Sequence, residues 1–479
     1  MRLAMSIFAI SLSGWCAAAP TSLINATLYD GTGAPAIENA VVIIDQGKLQ
    51  CVGTDCRVPE KSEVIDLKGQ YITPGLVDAH VHYAANGSFG TRALTSPDPE
   101  KYDLDKIQRD LKSNYWRWDR AYLCSGVTAV LDAGGFPWTL DLQSSSITSP
   151  DRPHYVSAGP LITHTRSEMS TSVLEKQKAL GTSEFLPMHS DKAAVDAVKQ
   201  LAESGAFAVK VWYIKPEEKF RADLQKRMKL IGDEATAHGL PLIVHATHLE
   251  GAKAAMKAGA KVLVHSINHE EVDEEFLRLA KDNEVIYEPT MAGGELWAAG
   301  DARLFFGEKP EFDDPNASID ERTRNLMESE FQELHPIARK EQSFEWITGG
   351  LIHMGEHASI MERNLRKVHE YGIPVATSTD AGNPFAFHGP TIYTEMERME
   401  RAGITPADII VMSTQNGARA MGQLDRFGTL EKGKNADLVI LKEDPGKSTK
   451  AFRSITHVMR LGKLHDVAEL GGGDRASGS

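Results

Sequence analysis

The stretch Tyr71-Ile72-Thr73-Pro74-Gly75-Leu76-Val77-Asp78-Ala79-His80-Val81-His82 decides how this chain is read. It has the form of a short apolar strand entered from a Pro-Gly turn. Side chains alternate faces along a strand, so His80 and His82 leave the same side, with Val81 between them on the other. Two imidazoles on one face at the end of an apolar run suit a transition metal that takes nitrogen ligands. His-x-His also arises by chance, so the reading depends on partners elsewhere.

Further strand-like runs alternate with helical patterns at residues 126–132, 155–158, 206–213, 241–245, 261–265, 285–287 and 374–380. That alternation is the sequence form of an α/β barrel. Lys210 lies inside one of these apolar runs, where an ammonium is costly unless paired, neutral or chemically modified. His245 and His265 each close a run after a valine, and Asp380 ends another before Ala381-Gly382. In a barrel such strand ends converge on one rim. Taken singly, each has an ordinary explanation: a structural histidine, a snorkelling lysine, a helix-capping aspartate. Their joint occurrence at strand ends selects a metal centre. Four imidazoles and a carboxylate would bind zinc, and a lysine carbamate would add a carboxylate bridging two ions.

Residues 23–72 alternate short apolar runs with turns, and the same signature returns at 437–441 and 455–459. Neither piece can hold a core alone, so one small β domain is expected from both ends of the chain. The expected fold is therefore α/β: a (β/α)8 TIM barrel with a small β-sandwich domain formed by the N- and C-terminal segments. The division expected is a signal peptide at 1–18, the first sandwich part at 19–73, the barrel at 74–425, the second sandwich part at 426–466 and a disordered tail at 467–479. Residues 291–355, with Trp297, Phe305, Phe306 and Trp346, read as a helical insertion over the barrel mouth.

Arg2, an apolar stretch over residues 5–15 and small Ala17, Ala18 and Ala19 have the pattern of a leader cut after Ala18. The stretch is short for a membrane span, and a periplasmic or secreted location is expected, with no membrane attachment after cleavage. Cys51 and Cys56 bracket the turn-forming Val52-Gly53-Thr54-Asp55, so an exported chain is expected to join them as a disulfide; Cys124 is expected to be buried. The 479 residues are 42% hydrophobic and 25% charged, an ordinary globular composition, so wholesale disorder is not expected. The net charge is -14 without a basic block, which argues against a nucleic-acid surface.

With these residues in view, the chain resembles the amidohydrolase superfamily of metal-dependent hydrolases, in its imidazolonepropionase-like and prolidase-like branch. The resemblance is carried by residues 74–82, the Lys210 strand, His245, His265, Thr379-Asp380-Ala381-Gly382, His388-Gly389 and the return at 428–438. It implies that His80, His82 and Asp380 hold a buried metal ion. It also implies that Lys210 is carboxylated and bridges two divalent ions (zinc by expectation), and that His245 and His265 hold the second. Asp380 would take a proton from the bridging hydroxide and deliver it to the leaving group. The activity implied is hydrolysis of a C–N bond, most simply in a dipeptide or N-acyl amino acid. A lactonase or phosphotriesterase-like activity, cyclic-amide hydrolysis and a noncatalytic metal-bound scaffold are the alternatives. Self-association is also implied. His248, Tyr213 and His388 are catalytic or substrate-contact candidates, and His164 is placed near the same rim. Arg166, Arg303 and Lys309 are carboxylate-binding candidates by position, and His269 and His353 are expected on the surface.

Overall fold

The computed structural model describes residues 19–91, 103–180 and 183–471, so the leader expected at 1–18 lies outside the described residues. The first strands are β1 (Thr21–Leu28), β2 (Ile37–Asp45), β3 (Lys48–Gly53), β4 (Glu63–Asp66) and β5 (Tyr71–Pro74). β1 is shared between neighbours. It runs antiparallel to β2, pairs with β4 in parallel over Thr21 to Ile24, then pairs with β5 at Thr27 and Leu28. The change of partner follows Asn25, whose φ of 58° breaks the extended backbone. Cys51 and Cys56 are joined as the sequence predicts, and Cys124 is buried.

Next come β6 (Leu76–Val81), β7 (Val127–Asp132), β8 (His154–Ser157), β9 (Leu161–Thr163), β10 (Phe185–Pro187), β11 (Val209–Trp212), β12 (Leu242–His245), β13 (Val262–Val264) and β14 (Ile286–Glu288). β6 and β7 are buried at every position, as parallel strands covered on both faces must be. The pairing departs from the single closed sheet expected. Among the described residues the parallel strands form two arcs, β6-β7-β8 and β10-β9-β11-β12-β13-β14. The third expected strand, 155–158, is β8; beyond a turn at Gly159, where φ is +65°, the chain adds the short β9 and β10, which the sequence pattern did not single out. The expected run at 374–380 makes bridges only, Val375 with Tyr287 and, just past it, Ala381 with Val81. Its backbone turns left-handed at Asp380, φ 58°, away from the extended region that ladder pairing uses.

The chain then returns through β15 (Leu438–Leu441), β16 (Ile455–Arg460) and β17 (Lys463–Asp466). β15 pairs with β5, so both ends of the chain share one eight-stranded sheet. The expected sandwich is thus a single connected sheet, because β1 and β5 link what would have been separate layers. Leu23, Leu28, Val42, Ile72, Leu438 and Ile440 meet in its apolar cluster. The sheet docks on β8 through a buried network. Arg460 donates to His154 Nδ1 at 2.9 Å, and His154 Nε2 donates to Asp437 at 2.8 Å. The first residues of the tail expected at 467–479 are ordered: Val467–Leu470 is helical with Val467 buried, and residues 472–479 lie outside the described residues.

The insertion is helical as expected, with helices Met291–Phe306, Glu321–Glu341 and Phe344–Glu370. The last runs beyond residue 355, and its C-terminal half buries Met361, Leu365 and Val368 in the main core. No described helix is long and apolar enough to cross a membrane.

Candidate metal centre

Gly75 lets β6 begin where it does: a Cβ there would lie 2.1 Å from the Thr128 hydroxyl on β7. β6 is then stitched to the 377–381 segment. Ala79 N donates to Thr377 O at 3.0 Å, Asp380 N to His80 O at 2.8 Å, and His82 N to Ala381 O at 2.8 Å. Asp78 accepts from the Thr379 amide at 3.0 Å and hydroxyl at 2.6 Å. This pairing delivers Asp380 to the two imidazoles. Its Oδ1 lies 3.4 Å from His80 Nε2 and 3.0 Å from His82 Nε2. One ligand atom from each of the three falls within 4.8 Å of the others, so the group could hold a metal ion.

The remaining expected ligands are brought to the same place. Lys210 Nζ is 3.5 Å from His80 Nε2 on a strand position that is only 1% exposed. The ring centre of His265 lies 5.1 Å from that of His80 and 4.4 Å from that of His245. Two rings are fixed from behind. His82 Nδ1 donates to Gly134 O at 2.6 Å, leaving Nε2 as the free lone pair, and His265 Nδ1 is bonded to the Thr290 hydroxyl at 2.6 Å. Thr290 begins the helix Met291–Phe306, whose first amides, Met291 N and Ala292 N, are bound by the Glu395 carboxyl. His265, Thr290 and Asp380 all adopt positive φ, 71°, 44° and 58°, a concentration of backbone strain at one site.

The electrostatics favour a bound dication. Burial pushes the Asp380 carboxyl up, but the imidazoles of His80, His82 and His265 outweigh it and hold it well below the carboxylate range. Burial, reinforced by Lys210, holds His80 well below the usual imidazole range. Burial, with His265 and Lys210, does the same for His245, and burial lowers His265 to about 4. Neutral imidazoles are ligands, and His80 Nδ1 is buried with no hydrogen-bond partner. The donor set fits a nitrogen-preferring divalent ion. Glu288 on β14, which the sequence reading passed over, is a buried carboxyl pushed well up by burial, partly offset by Lys210.

His80, His82, Lys210, His245, His265 and Asp380 floor a cavity of about 430 Å³. Leu161, Met169, Phe185, Trp212, Ile214 and Trp297 form apolar walls, and Lys215, Thr247, His248, His269 and Asn383 add polar groups. His248 therefore reaches the cavity as expected. Tyr213 does not; it lines a smaller neighbouring cavity, also touched by His248, and burial pushes its hydroxyl up to about 12. His388 is not at the cavity either. Tyr122 donates to its Nδ1 at 2.8 Å and its Nε2 donates to Ala85 O at 2.8 Å, which leaves no nitrogen for substrate. His164 is turned away, with Nε2 donating to Ile214 O and Nδ1 accepting from Arg166 N. Arg166 stacks on Phe220, Arg303 pairs with Glu308, and Lys309 is exposed. Besides Lys210, the cavity is lined by Lys215, three residues beyond β11. Its loop position follows no strand or helix period, so only its nearness to Lys210 in the chain could have pointed to it.

The family model described as "Amidohydrolase family" matches residues 71–465. The ochratoxinase of Aspergillus niger is 24% identical over 93% of this chain and 86% of its own length. An imidazolonepropionase of Geobacillus kaustophilus is 23% identical over 89% of this chain and 90% of its own. Among solved structures, a Xaa-Pro dipeptidase with bound methionine superposes with a TM-score of 0.69 at 21% identity, covering 94% of this chain and all of that one. The crystal structure of the A. niger ochratoxinase gives 0.69 at 20% identity, covering 94% and 96%. At such identities the structural likeness establishes the fold.

Proposed function

The chain belongs to the amidohydrolase family and is an amidohydrolase enzyme, and from that premise we propose that it hydrolyses the C–N bond of a dipeptide or N-acyl amino acid at a two-metal centre. The observation that carries the proposal is the buried convergence of His80, His82 and Asp380 with Lys210, His245 and His265 from separate strand ends. We read the two arcs as the wall of one (β/α)8 barrel, a reading supported by the bridges of residues 375 and 381 to both.

On this reading His80, His82 and Asp380 would hold one ion and His245 and His265 the other. Lys210 would complete the donor set as its carbamate, formed when the neutral amine adds to carbon dioxide with an N–C bond made, a C=O π bond opened and a proton released. When bound, the two ions, taken as zinc, supply Lewis acidity for the scissile carbonyl and lower the pKa of the water nucleophile. Asp380, held ionised by its imidazole neighbours, accepts a proton from water and returns it to the leaving nitrogen. The walls of Phe185, Trp212 and Trp297 favour a large apolar or aromatic group beside the amide. Lys215 is placed to meet a free carboxylate. The disulfide supports an exported location.

The test is a panel of dipeptides and N-acyl amino acids, with lactones, phosphotriesters and cyclic amides alongside, on zinc-loaded protein whose metal content is measured. Turnover of amides carrying an aromatic or large apolar residue is expected. Two zinc ions per chain with no amide cleaved would overturn the reading; turnover confined to lactones or phosphotriesters would replace it.

A further inference from the structure

His269 and His353, expected as scattered surface residues, are gathered with His248 and His357 at the cavity mouth. The ring centres of His248 and His269 are 4.5 Å apart, those of His269 and His357 4.6 Å, and those of His353 and His357 3.9 Å. His248 and His269 line the main cavity, so the cluster adjoins the substrate space without including any residue of the inner centre.

Two rigid elements set this arrangement. His353 and His357 are one turn apart on the helix Phe344–Glu370, hence on one face, the i,i+4 spacing by which helices present paired metal ligands. His269 lies on the segment between β13 and the helix Glu274–Asp282. Asn364, two turns after His357, clamps that segment: its amide donates to Ile267 O at 2.8 Å and Glu270 O at 2.9 Å, and its carbonyl accepts from Val272 N at 2.9 Å. Arg363 adds an ion pair to Glu271 at 2.8 Å. The helix therefore cannot slide relative to His269.

The ring nitrogens are available. Among the described residues neither His269 nor His357 makes a side-chain hydrogen bond, and the carboxylate nearest His353, that of Glu356, is 3.9 Å away, beyond hydrogen-bond reach. Burial, reinforced by His353, lowers both His269 and His357, so both are neutral ligands at neutral pH. Lys215 bears on His248 and His269 and opposes a cation, while Glu270 and Glu356 favour one. A packing role alone would leave three imidazoles crowded with little hydrogen bonding, at a place where carbon side chains would pack as well.

We propose that His269, His353 and His357 form a second, peripheral site for a divalent transition-metal ion of the zinc class, beside the mouth of the cavity. The ring centres of His269 and His353 are 6.4 Å apart, so the site closes when His353, whose side chain is 59% exposed, turns towards His269. Such closure ties the insertion to the segment that follows β13.

The experiment is equilibrium dialysis of the full chain against stepped free zinc, with zinc per chain read by elemental analysis. The wild type is compared with His353→Ala/His357→Ala and, on the other element, with His269→Asn; circular dichroism checks that each is folded. The expected result is one more zinc per chain in the wild type than in either variant at the upper steps, with equal content at the lowest. Cobalt added to chains whose inner centre is already filled with zinc should give a visible absorption band in the wild type that both variants lack. Equal zinc uptake at every step would overturn the proposal, as would loss of the extra zinc in only one of the variants. The readout does not depend on turnover, so it stands whether or not an amide substrate is found.

Discussion

At Lys210 an amine sits 3.5 Å from an imidazole nitrogen, on a strand with almost no contact with solvent. Lys210→Ala should cut amide turnover by at least a hundredfold and lower zinc content, because the link between the ions is lost. Added formate or acetate should restore part of the activity, whereas Lys210→Arg should remain inactive, since a guanidinium stays cationic and forms no carbamate. Unchanged kcat in Lys210→Ala would place the bridge elsewhere. Asp380→Asn should keep the fold and at least one zinc while kcat falls by about 10² or more, the usual scale for a lost proton-transfer group. Metal analysis beside kinetics separates that result from simple metal loss. His388 makes a pH prediction. Its folded pKa is lowered to about 3 by burial, against about 6.5 unfolded, so the unfolded chain binds the proton first as pH falls. Its contribution is present above pH 6.5 and is lost on descending towards pH 3, amounting to about 2 kcal/mol by pH 5. Denaturant titrations at pH 7 and pH 5 should show this loss, and His388→Gln should show less of it.

At the scale of elements, the helix Met291–Phe306 is anchored by a carboxyl from a different helix. Glu395 accepts from Met291 N at 2.9 Å and Ala292 N at 2.7 Å, and Thr290 just before them holds His265. Glu395→Ala leaves two buried amides unpaired and should cost about 1–3 kcal/mol, with weaker retention of the second zinc. Full stability and zinc content in that variant would show that the anchor does not bear on His265. What the sequence revealed follows the same scale. His80 and His82 were legible because strand alternation places i and i+2 on one face, and Lys210 because a charge interrupted an apolar run. The short β9 and β10 and the bridging 374–380 segment were not, since three-residue strands carry too little period to read and the left-handed turn at Asp380 depends on neighbours rather than on local pattern. His388 was misplaced for a related reason: a His-Gly-Pro loop gives no sign of the Tyr122 and Trp118 rings that enclose it. Gathering His269 with His357 required Asn364 to fasten a helix to a distant segment, and no sequence period records that contact.

Over the whole molecule, the terminal sheet and the parallel arcs are joined by the Arg460–His154–Asp437 network, in which Asp437 is buried beside two cationic or donor groups. Burial pushes its carboxyl up, but Arg460 and His154 outweigh that and hold it down at about 2. Asp437→Asn leaves Arg460 buried without its countercharge and should destabilise the chain by about 3–5 kcal/mol, visible as a lower denaturant midpoint. An unchanged midpoint would mean that the backbone carbonyls around Arg460 suffice. The pairing of β5 with β15, Ile72 opposite Ile440, also bears on how the protein is made. A nascent chain presents the edge of β5 long before its neighbour exists. At ~5–20 residues per second, synthesis leaves that edge open for roughly 20–70 s. An open strand edge recruits other strands, so chains on neighbouring ribosomes are each other's nearest hazard during that interval.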